Sequence, residues 1–313
     1  MTRNNGGTVV ITGASGVLGH AIATELAATF DVICIRHREP INRRGIREVA
    51  GDLTQPGLGL STQDRALLNN ADVIVHCAAT TAFHNNRTRM ASVNIAGTER
   101  VLDLAAATGA KLMHVSTAFV ARHKPELEDQ PLTVRGPTAY VESKVGGENL
   151  VRTAGLGALT VRPSVVIGDS KTGEIRRAQG LHSMCGQMMR SEVPLLAIHP
   201  EAFIDCVPQD FVARAIGRLV EQGVPSGEIW LTAGTNALTA QEVIDTALAV
   251  GTEAGLRPTR FRVVDPEMVE RLLLPLVADP ALRPQHGELQ DALETSLRWW
   301  AEQEGLFDTA VVA

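Results

Sequence analysis

Apolar runs of strand length recur through the first half of the chain: TVVIT (8–12), DVICI (31–35), DVIVH (72–76), KLMHVS (111–116) and ALTVR (158–162). Between them lie stretches with apolar residues at helical spacing, notably GVLGHAIATELAAT (16–29) and MASVNIAGTERVLDLAAATG (90–109), each closing in turn-prone residues. Strands that are apolar on both faces and alternate with helices predict an α/β fold with a parallel sheet covered on both sides. Right-handed crossovers then make the sheet doubly wound. After about residue 168 the alternation weakens. The pattern there predicts a helix around 178–190, a proline-bounded segment, a helix at 209–222, a short strand EIWLT (228–232) and helices near 239–250 and 286–303. LLLPLVADPALRP (272–284) reads as a loop. The expected organisation is a sheet domain over 1–170, to which 204–236 returns, and a smaller, mostly helical C-terminal cap made of 171–203 and 237–313.

Composition narrows the function classes. The 313 residues carry 44% apolar side chains and a net charge of −6 with no basic block, which argues against a partner that is held by phosphate neutralisation, so no nucleic acid is expected. A small molecule fits better. No stretch nears the roughly 20 apolar residues of a bilayer span, and the opening MTRNNGGTVVITG has no signal-peptide pattern, so the reading is of a cytoplasmic protein, monomer or homodimer. Cys34, Cys77, Cys185 and Cys206 lack metal-ligand spacing and read as reduced thiols, and the nine histidines form no HxH or HxxxH pair. No metal site is expected.

ITGASGVLGHA follows the first strand and opens the first helix, with Gly13, Gly16 and Gly19 in GxxGxxG spacing. Glycine there lets the backbone turn tightly and approach a pyrophosphate, whose charge is favoured by the unpaired N–H groups of the helix start. This makes the sheet domain Rossmann-like. The second strand ends in CIRHREP, with Arg36 and Arg38 where an NAD enzyme usually offers a carboxylate to the ribose. A guanidinium pairs with a 2′-phosphate, so the expected cofactor is NADP(H), the alternative being a solvated loop arginine.

Tyr140 is the only tyrosine, and Lys144, one of four lysines, stands four residues later on the same helical face. A nearby ammonium favours the phenolate and brings a phenol toward the range useful for acid/base work. The pair therefore reads as a proton donor and its tuner, against the alternative of surface decoration. HVSTAFV places Ser116 and Thr117 at the carboxyl end of a strand, where ligands bind in open parallel sheets, although such pairs also serve as caps and turn formers.

Taken together these residues resemble the extended short-chain dehydrogenase/reductase superfamily: the glycine motif, GDL (51–53), HCAA (76–79), VNIAGT (93–98), HVST (114–117), YxxxK (140–144) and VRPSVVIG (161–168) follow the family's order over about two-thirds of the chain. The resemblance implies that Gly13, Ser15, Gly16, Val17, Leu18 and Gly19 form the pyrophosphate loop. It implies that Asp52 meets the adenine and that Ala78 and Ala79 line the cofactor. Pro163, Ser164 and Val166 hold the nicotinamide amide, and Leu53, Asn94, Ser116 and Lys144 join the cofactor contacts. Thr117, Tyr140 and Lys144 form the catalytic triad. Thr117 is preferred to Ser116 because related enzymes place the hydroxyl two residues before a step that is FV (119–120) here.

VIVHCAATTAFH, YVESKVGGENLV, RPSVVIGDSKTGEI and DCVPQDFVARAI further resemble the branch of fatty acyl-CoA reductases and of the thioester reductase domains that end carrier-protein assembly lines. The implied reaction is NADPH-dependent reduction of an acyl thioester, on CoA or on a carrier protein, to an aldehyde or alcohol. With no carrier or adenylation domain in the sequence, the acyl substrate is expected as a free molecule or on an acyl carrier protein in trans. The competing readings are a same-fold dehydrogenase or epimerase acting on a ketone, aldehyde or sugar nucleotide, and a non-catalytic NADP-binding regulator. Leu181, Met184 and Met188 form a helical stripe that reads either as ordinary core or as the lining of an acyl tunnel. Arg176 and Arg177 read as an exposed basic pair or as contacts to the phosphates of phosphopantetheine or CoA.

Overall fold

The computed structural model describes residues 6–81, 87–122, 139–178, 180–193, 195–269 and 271. The helix expected at 286–303 and the loop at 272–284 lie outside the described residues. The chain divides into two compact units, one of residues 1–120, 138–177 and 207–232, the other of 121–137, 178–206 and 233–313.

The first unit is built on seven parallel strands: β1 (Thr8–Thr12), β2 (Asp31–Arg36), β3 (Ile46–Ala50), β4 (Val73–His76), β5 (Lys111–Val115), β6 (Leu159–Pro163) and β7 (Gly227–Leu231), in spatial order β7-β6-β5-β4-β1-β2-β3. The order reverses between β1 and β4, and the crevice beyond their carboxyl ends is the place where such sheets bind ligands. β3 escaped the sequence pattern. It is an edge strand, IREVA, whose Arg47 and Glu48 break the apolar run, and charge on an edge discourages further strand pairing.

Helices cover both faces. On one, α1 (Val17–Leu26) turns Ile22, Ala23 and Leu26 inward and packs against α6 (Gln209–Glu221). The other carries α2 (Thr62–Leu68), a run from α3 (Arg87–Met90) through a π-helical turn (Ala91–Ile95) into α4 (Ala96–Thr108), and α5 (Ala139–Thr153). A buried apolar core forms here, where Val10, Ile33, Ile74 and Leu112 meet Leu68, Val101, Leu104 and Val151. Burial of each such side chain is worth roughly 1.5–3 kcal/mol.

In the second unit, helices Gly180–Met189 and Ala240–Glu253 pack together, and Gly251 lies against Met189. Strand Leu195–Ala197 pairs in parallel with Arg262–Val264, and Phe203–Ile204 pairs antiparallel with Leu238–Thr239. Leu181, Met184 and Met188 are all buried in this unit, so the methionine stripe is part of a packed core. No described helix is long and apolar enough to cross a membrane.

Candidate active site

Helix α5 carries Tyr140, Lys144 and Glu148 at four-residue intervals on one face, and all three are buried, with 7%, 3% and 5% of their surface exposed. Lys144 Nζ donates a 2.8 Å hydrogen bond to the carbonyl oxygen of Val115, the last residue of β5. Two residues further on, the buried Thr117 hydroxyl hydrogen-bonds the Tyr140 side chain. The strand end and the helix are thus joined at both members of the YxxxK pair. Ser116, the other hydroxyl at this strand end, has its backbone N–H on Val161 O at 2.7 Å, while its buried Oγ has no partner among the described residues.

Electrostatics differ from the expectation drawn from spacing. Burial pushes the Tyr140 phenol up to about 12, the Thr117 hydrogen bond acts in the opposite direction, and the Cys77 thiol adds to the rise. Desolvation outweighs any help from the neighbouring ammonium, so the phenol stays protonated and is equipped to give a proton. Burial also pulls Lys144 down to about 8, against the opposing effects of Cys77 and Glu148. The ammonium therefore begins to titrate near the upper edge of neutral pH.

Behind the pair lies a polar layer that spacing did not reveal. His76 is held by Thr12 Oγ1 at Nδ1 (2.7 Å) and by Thr98 Oγ1 at Nε2 (3.1 Å), and its ring stands 5.4 Å from that of His114. Burial takes His76 down to about 3 and His114 well below the usual imidazole value, with Lys144 adding to both. His76 ends one apolar strand and His114 lies within another, and a histidine in such a run was the one available signal. Glu148 and Arg162 were also missed: Arg162 Nε and Nη2 donate to the two Glu148 carboxylate oxygens at 3.0 and 2.6 Å.

The glycine loop fits a dinucleotide. Gly13 has φ +77°, and a Cβ there would lie 2.6 Å from the backbone N and Cα of Ala78; at Gly19 it would run into the carbonyl of Gly13. Only glycine lets β1, the loop and the start of α1 pack this closely. Ser15 lies in the loop, Val17 and Leu18 form the first turn of α1, and N-cap Gly16 provides no side-chain cap, leaving the first-turn N–H groups to an anion. Ala78 N donates to Thr12 Oγ1 at 3.2 Å, and Ala79 follows half-buried beyond β4. At the end of β6, Ser164 N donates to Leu231 O at 3.1 Å while its buried Oγ is without a partner among the described residues; Pro163 is buried beside it, and Val166 lies in a short strand, Val165–Ile167. Orphaned hydroxyls at Ser116 and Ser164 suit a polar ligand on this face.

Four of the expected cofactor residues, Asn94, Leu53, Arg36 and Asp52, have partners within the protein. Asn94, in the π-helical turn, accepts from Thr80 N (2.8 Å) and donates to Thr80 O (3.0 Å) and Ser143 Oγ (2.9 Å), and Ser143 Oγ donates to Tyr140 O at 2.6 Å. Its amide thereby ties the loop after β4 to α5. Leu53 O accepts from Arg100 Nη1 at 2.9 Å, and its side chain packs over Gly97. Arg36, 36% exposed, forms a 3.6 Å ion pair with Glu48 of β3. Asp52 Oδ1 accepts from Thr54 N (2.8 Å) and Thr54 Oγ1 (2.7 Å), which hold its carboxyl below the ordinary range, and His37 and Arg38 reinforce this. Arg36, Arg38 and Asp52 thus gather where β2 and β3 end.

The two segments that singled out the branch meet in space. Asp210 accepts from Ser170 N and Ser170 Oγ, both at 2.8 Å, and Gln209 Nε2 donates to Glu174 O at 2.8 Å. Asp205, fully buried, instead accepts from Ala233 N (2.8 Å) and Gly234 N (3.2 Å). Arg176 donates to His20 Nδ1 at 2.9 Å, and Arg177 pairs with Glu39 at 3.6 Å between two exposed side chains.

A profile described as male sterility protein, an NAD-binding family, matches residues 36–216, more than half of the chain. The chain belongs to this family. It is an NAD(P)-dependent enzyme of the extended short-chain dehydrogenase/reductase kind. The hybrid PKS-NRPS synthetase pvhA of Talaromyces variabilis is 26% identical over 227 residues, a match that covers 69% of the chain. The chain spans only 6% of that relative's length. Among solved structures, the terminal R domain from the myxalamid PKS-NRPS biosynthetic pathway superposes with a TM-score of 0.69 and 25% identity, over 95% of this chain and 80% of that one. The Bordetella bronchiseptica enzyme WbmH, crystallised with NAD+, shares the fold at a TM-score of 0.62 and 22% identity, over 83% of this chain and 85% of its own.

Proposed function

We propose that the protein is an NADPH-dependent reductase that converts an acyl thioester, presented on CoA or on a carrier protein, to an aldehyde or alcohol. The observation that carries this reading is the likeness to a terminal R domain over 95% of the chain, combined with a buried Thr117–Tyr140 hydrogen bond beside Lys144. An assembly-line origin of that relative favours a tethered acyl substrate over a sugar nucleotide.

Gly13, Ser15, Gly16, Val17, Leu18 and Gly19 would hold the pyrophosphate; Arg36 and Arg38 the 2′-phosphate; Asp52 and Leu53 the adenine side; Ala78, Ala79, Asn94, Ser116, Pro163, Ser164 and Val166 the remainder of the cofactor. When bound, the reduced nicotinamide supplies the hydride. Tyr140 then gives its phenolic proton to the thioester carbonyl oxygen as negative charge develops there, and the Thr117 hydroxyl stabilises the same oxygen. Lys144 places a positive charge next to the phenol. The hemithioacetal so formed collapses to aldehyde and thiol, with the thiolate taking up a proton.

Purified protein is incubated with NADPH and acyl-CoA, acyl-pantetheine or acyl-carrier thioesters, and free thiol and carbonyl products are assayed. NADPH-dependent thiol release that disappears in Tyr140→Phe supports the reading. Aldehyde or ketone reduction with no thiol from any thioester replaces it with a carbonyl reductase.

A further inference from the structure

Tyr140, Lys144 and Glu148 share the buried face of α5, but only the first two belong to the triad. Glu148 points to the sheet, where Arg162 of β6 meets it as a fork, Nε on Oε1 at 3.0 Å and Nη2 on Oε2 at 2.6 Å. The outer edge of the same guanidinium is also fixed: Nη1 donates to Glu228 Oε2 at 2.5 Å, and the Trp230 ring lies 4.7 Å from its central carbon. Glu228 and Trp230 both belong to β7, and Trp230 is the register partner of Arg162. Three elements, α5, β6 and β7, therefore converge on one side chain.

Stability alone does not account for such a pair. Withdrawing two charges from water carries a penalty that their attraction often fails to exceed, and well-packed apolar residues would serve as well. What a bidentate fork adds is geometry, because two parallel hydrogen bonds survive only one rotation and one translation of the helix relative to the strand. The fork sits one helical turn beyond Lys144, so it also sets the charge near the ammonium. The other groups facing Lys144 are Tyr140 on its own helix, His76 and Cys77 at the end of β4, and His114 on β5, with both imidazoles kept neutral by burial. Glu148 and Arg162 are thus the fixed charges on this side of the site.

We propose that Glu148 and Arg162 are positioning residues: their buried fork, braced by Glu228 and Trp230, sets the register of α5 on the sheet and balances the charge beside Lys144. This deepens the reading of the site given above and rests on it for its effect on rate. The charge balance is measurable without turnover.

The test follows the side chain of Lys144 by NMR in lysine-labelled full-length protein, where only four lysines need assignment. Glu148→Gln leaves Arg162 unbalanced and is expected to lower the Lys144 titration midpoint by about one pH unit; Arg162→Met leaves Glu148 unbalanced and is expected to raise it by about as much. The double variant returns close to wild type. Arg162→Lys, which keeps the charge and loses the fork, is expected to restore the midpoint but not the rate, with kcat down by roughly tenfold or more and NADPH affinity almost unchanged. Shifts of the same sign in both single variants, or no shift in either, overturn the charge balance. Full kcat in Arg162→Lys overturns the positioning role. Glu228→Gln, on a half-exposed carboxylate, supplies a milder variant should the buried ones fail to fold, and a smaller downward shift is expected because Arg162 loses one of its two carboxylate partners; no shift, or an upward one, counts against the proposal. If wild type reduces no carbonyl compound at all, the proposed function fails while the midpoints still decide the fork.

Discussion

Lys144 Nζ bonds the main-chain carbonyl of Val115 at 2.8 Å, just two residues before the hydroxyl that bonds Tyr140. A lysine is seldom fully buried without a carboxylate directly on it, and here its direct partner is a neutral carbonyl. The charge is therefore held at some cost in stability, a pattern of functional sites rather than of cores. Four expectations come from this site.

Tyr140→Phe is expected to reduce turnover at least a hundredfold while NADPH affinity changes little, since the ring still packs and only the proton donor is lost, a contribution of about 10²–10⁴ in rate. Steady-state kinetics with a fluorescence titration of NADPH checks both halves. More than a tenth of wild-type activity in the variant removes Tyr140 as the acid.

Lys144 makes a signed prediction for pH. Its folded value of about 8 lies below the ordinary lysine value of 10.5, so between those two values the unfolded chain binds more protons and Lys144's contribution to stability rises with pH. Below pH 8 both states are protonated and the full cost of burying the ammonium is present. Lys144→Met is accordingly expected to lose activity and yet melt higher by about 2–4 °C at pH 7, with the gain vanishing above pH 10. Melting curves across that range test it; a lower melting temperature at pH 7 refutes it. In wild type, the reductase rate should decline as pH rises through about 8.

His76 and His114 act at the other end of the scale. Burial keeps both neutral in the fold, His76 to about pH 3, whereas in the unfolded chain they protonate near pH 6.5. The unfolded state thus binds more protons below pH 6.5, and stability falls with acid. His114→Leu, which removes one titrating group and two buried ring nitrogens unpartnered among the described residues, is expected to flatten the fall in denaturation midpoint between pH 6.5 and 4. An unaltered slope in urea titrations at those pH values contradicts this.

Arg36→Ala tests the choice of cofactor. A charge-assisted contact to a 2′-phosphate is worth on the order of 1.5–3 kcal/mol, so NADPH is expected to weaken about 10- to 150-fold while NADH binding hardly moves. Because the Arg36–Glu48 pair is partly exposed and long at 3.6 Å, little change in melting temperature is expected. Equal losses for both cofactors point to a nucleotide-independent role for Arg36.

Local pattern carried much of this protein. The five apolar runs of the first half are strands β1, β2, β4, β5 and β6 because a parallel strand covered on both faces must be apolar throughout, and that condition is visible residue by residue. The same holds for the glycines of the loop after β1, whose spacing follows from close backbone packing, and for the Tyr140–Lys144 spacing on one helix face. Strand β3 was hidden because an edge strand need bury only part of itself, and Arg47 and Glu48 erase the periodicity. Charge states were hidden for a deeper reason: proximity in sequence suggested that Lys144 would lower the Tyr140 value, but the dominant effect is desolvation, which is a property of everything packed around the phenol. Equally, nothing in the spacing of Glu148, Arg162, Glu228 and Trp230 brings them together; only the order of β5, β6 and β7 beneath α5 does, because a parallel sheet sets neighbours across crossovers of dozens of residues.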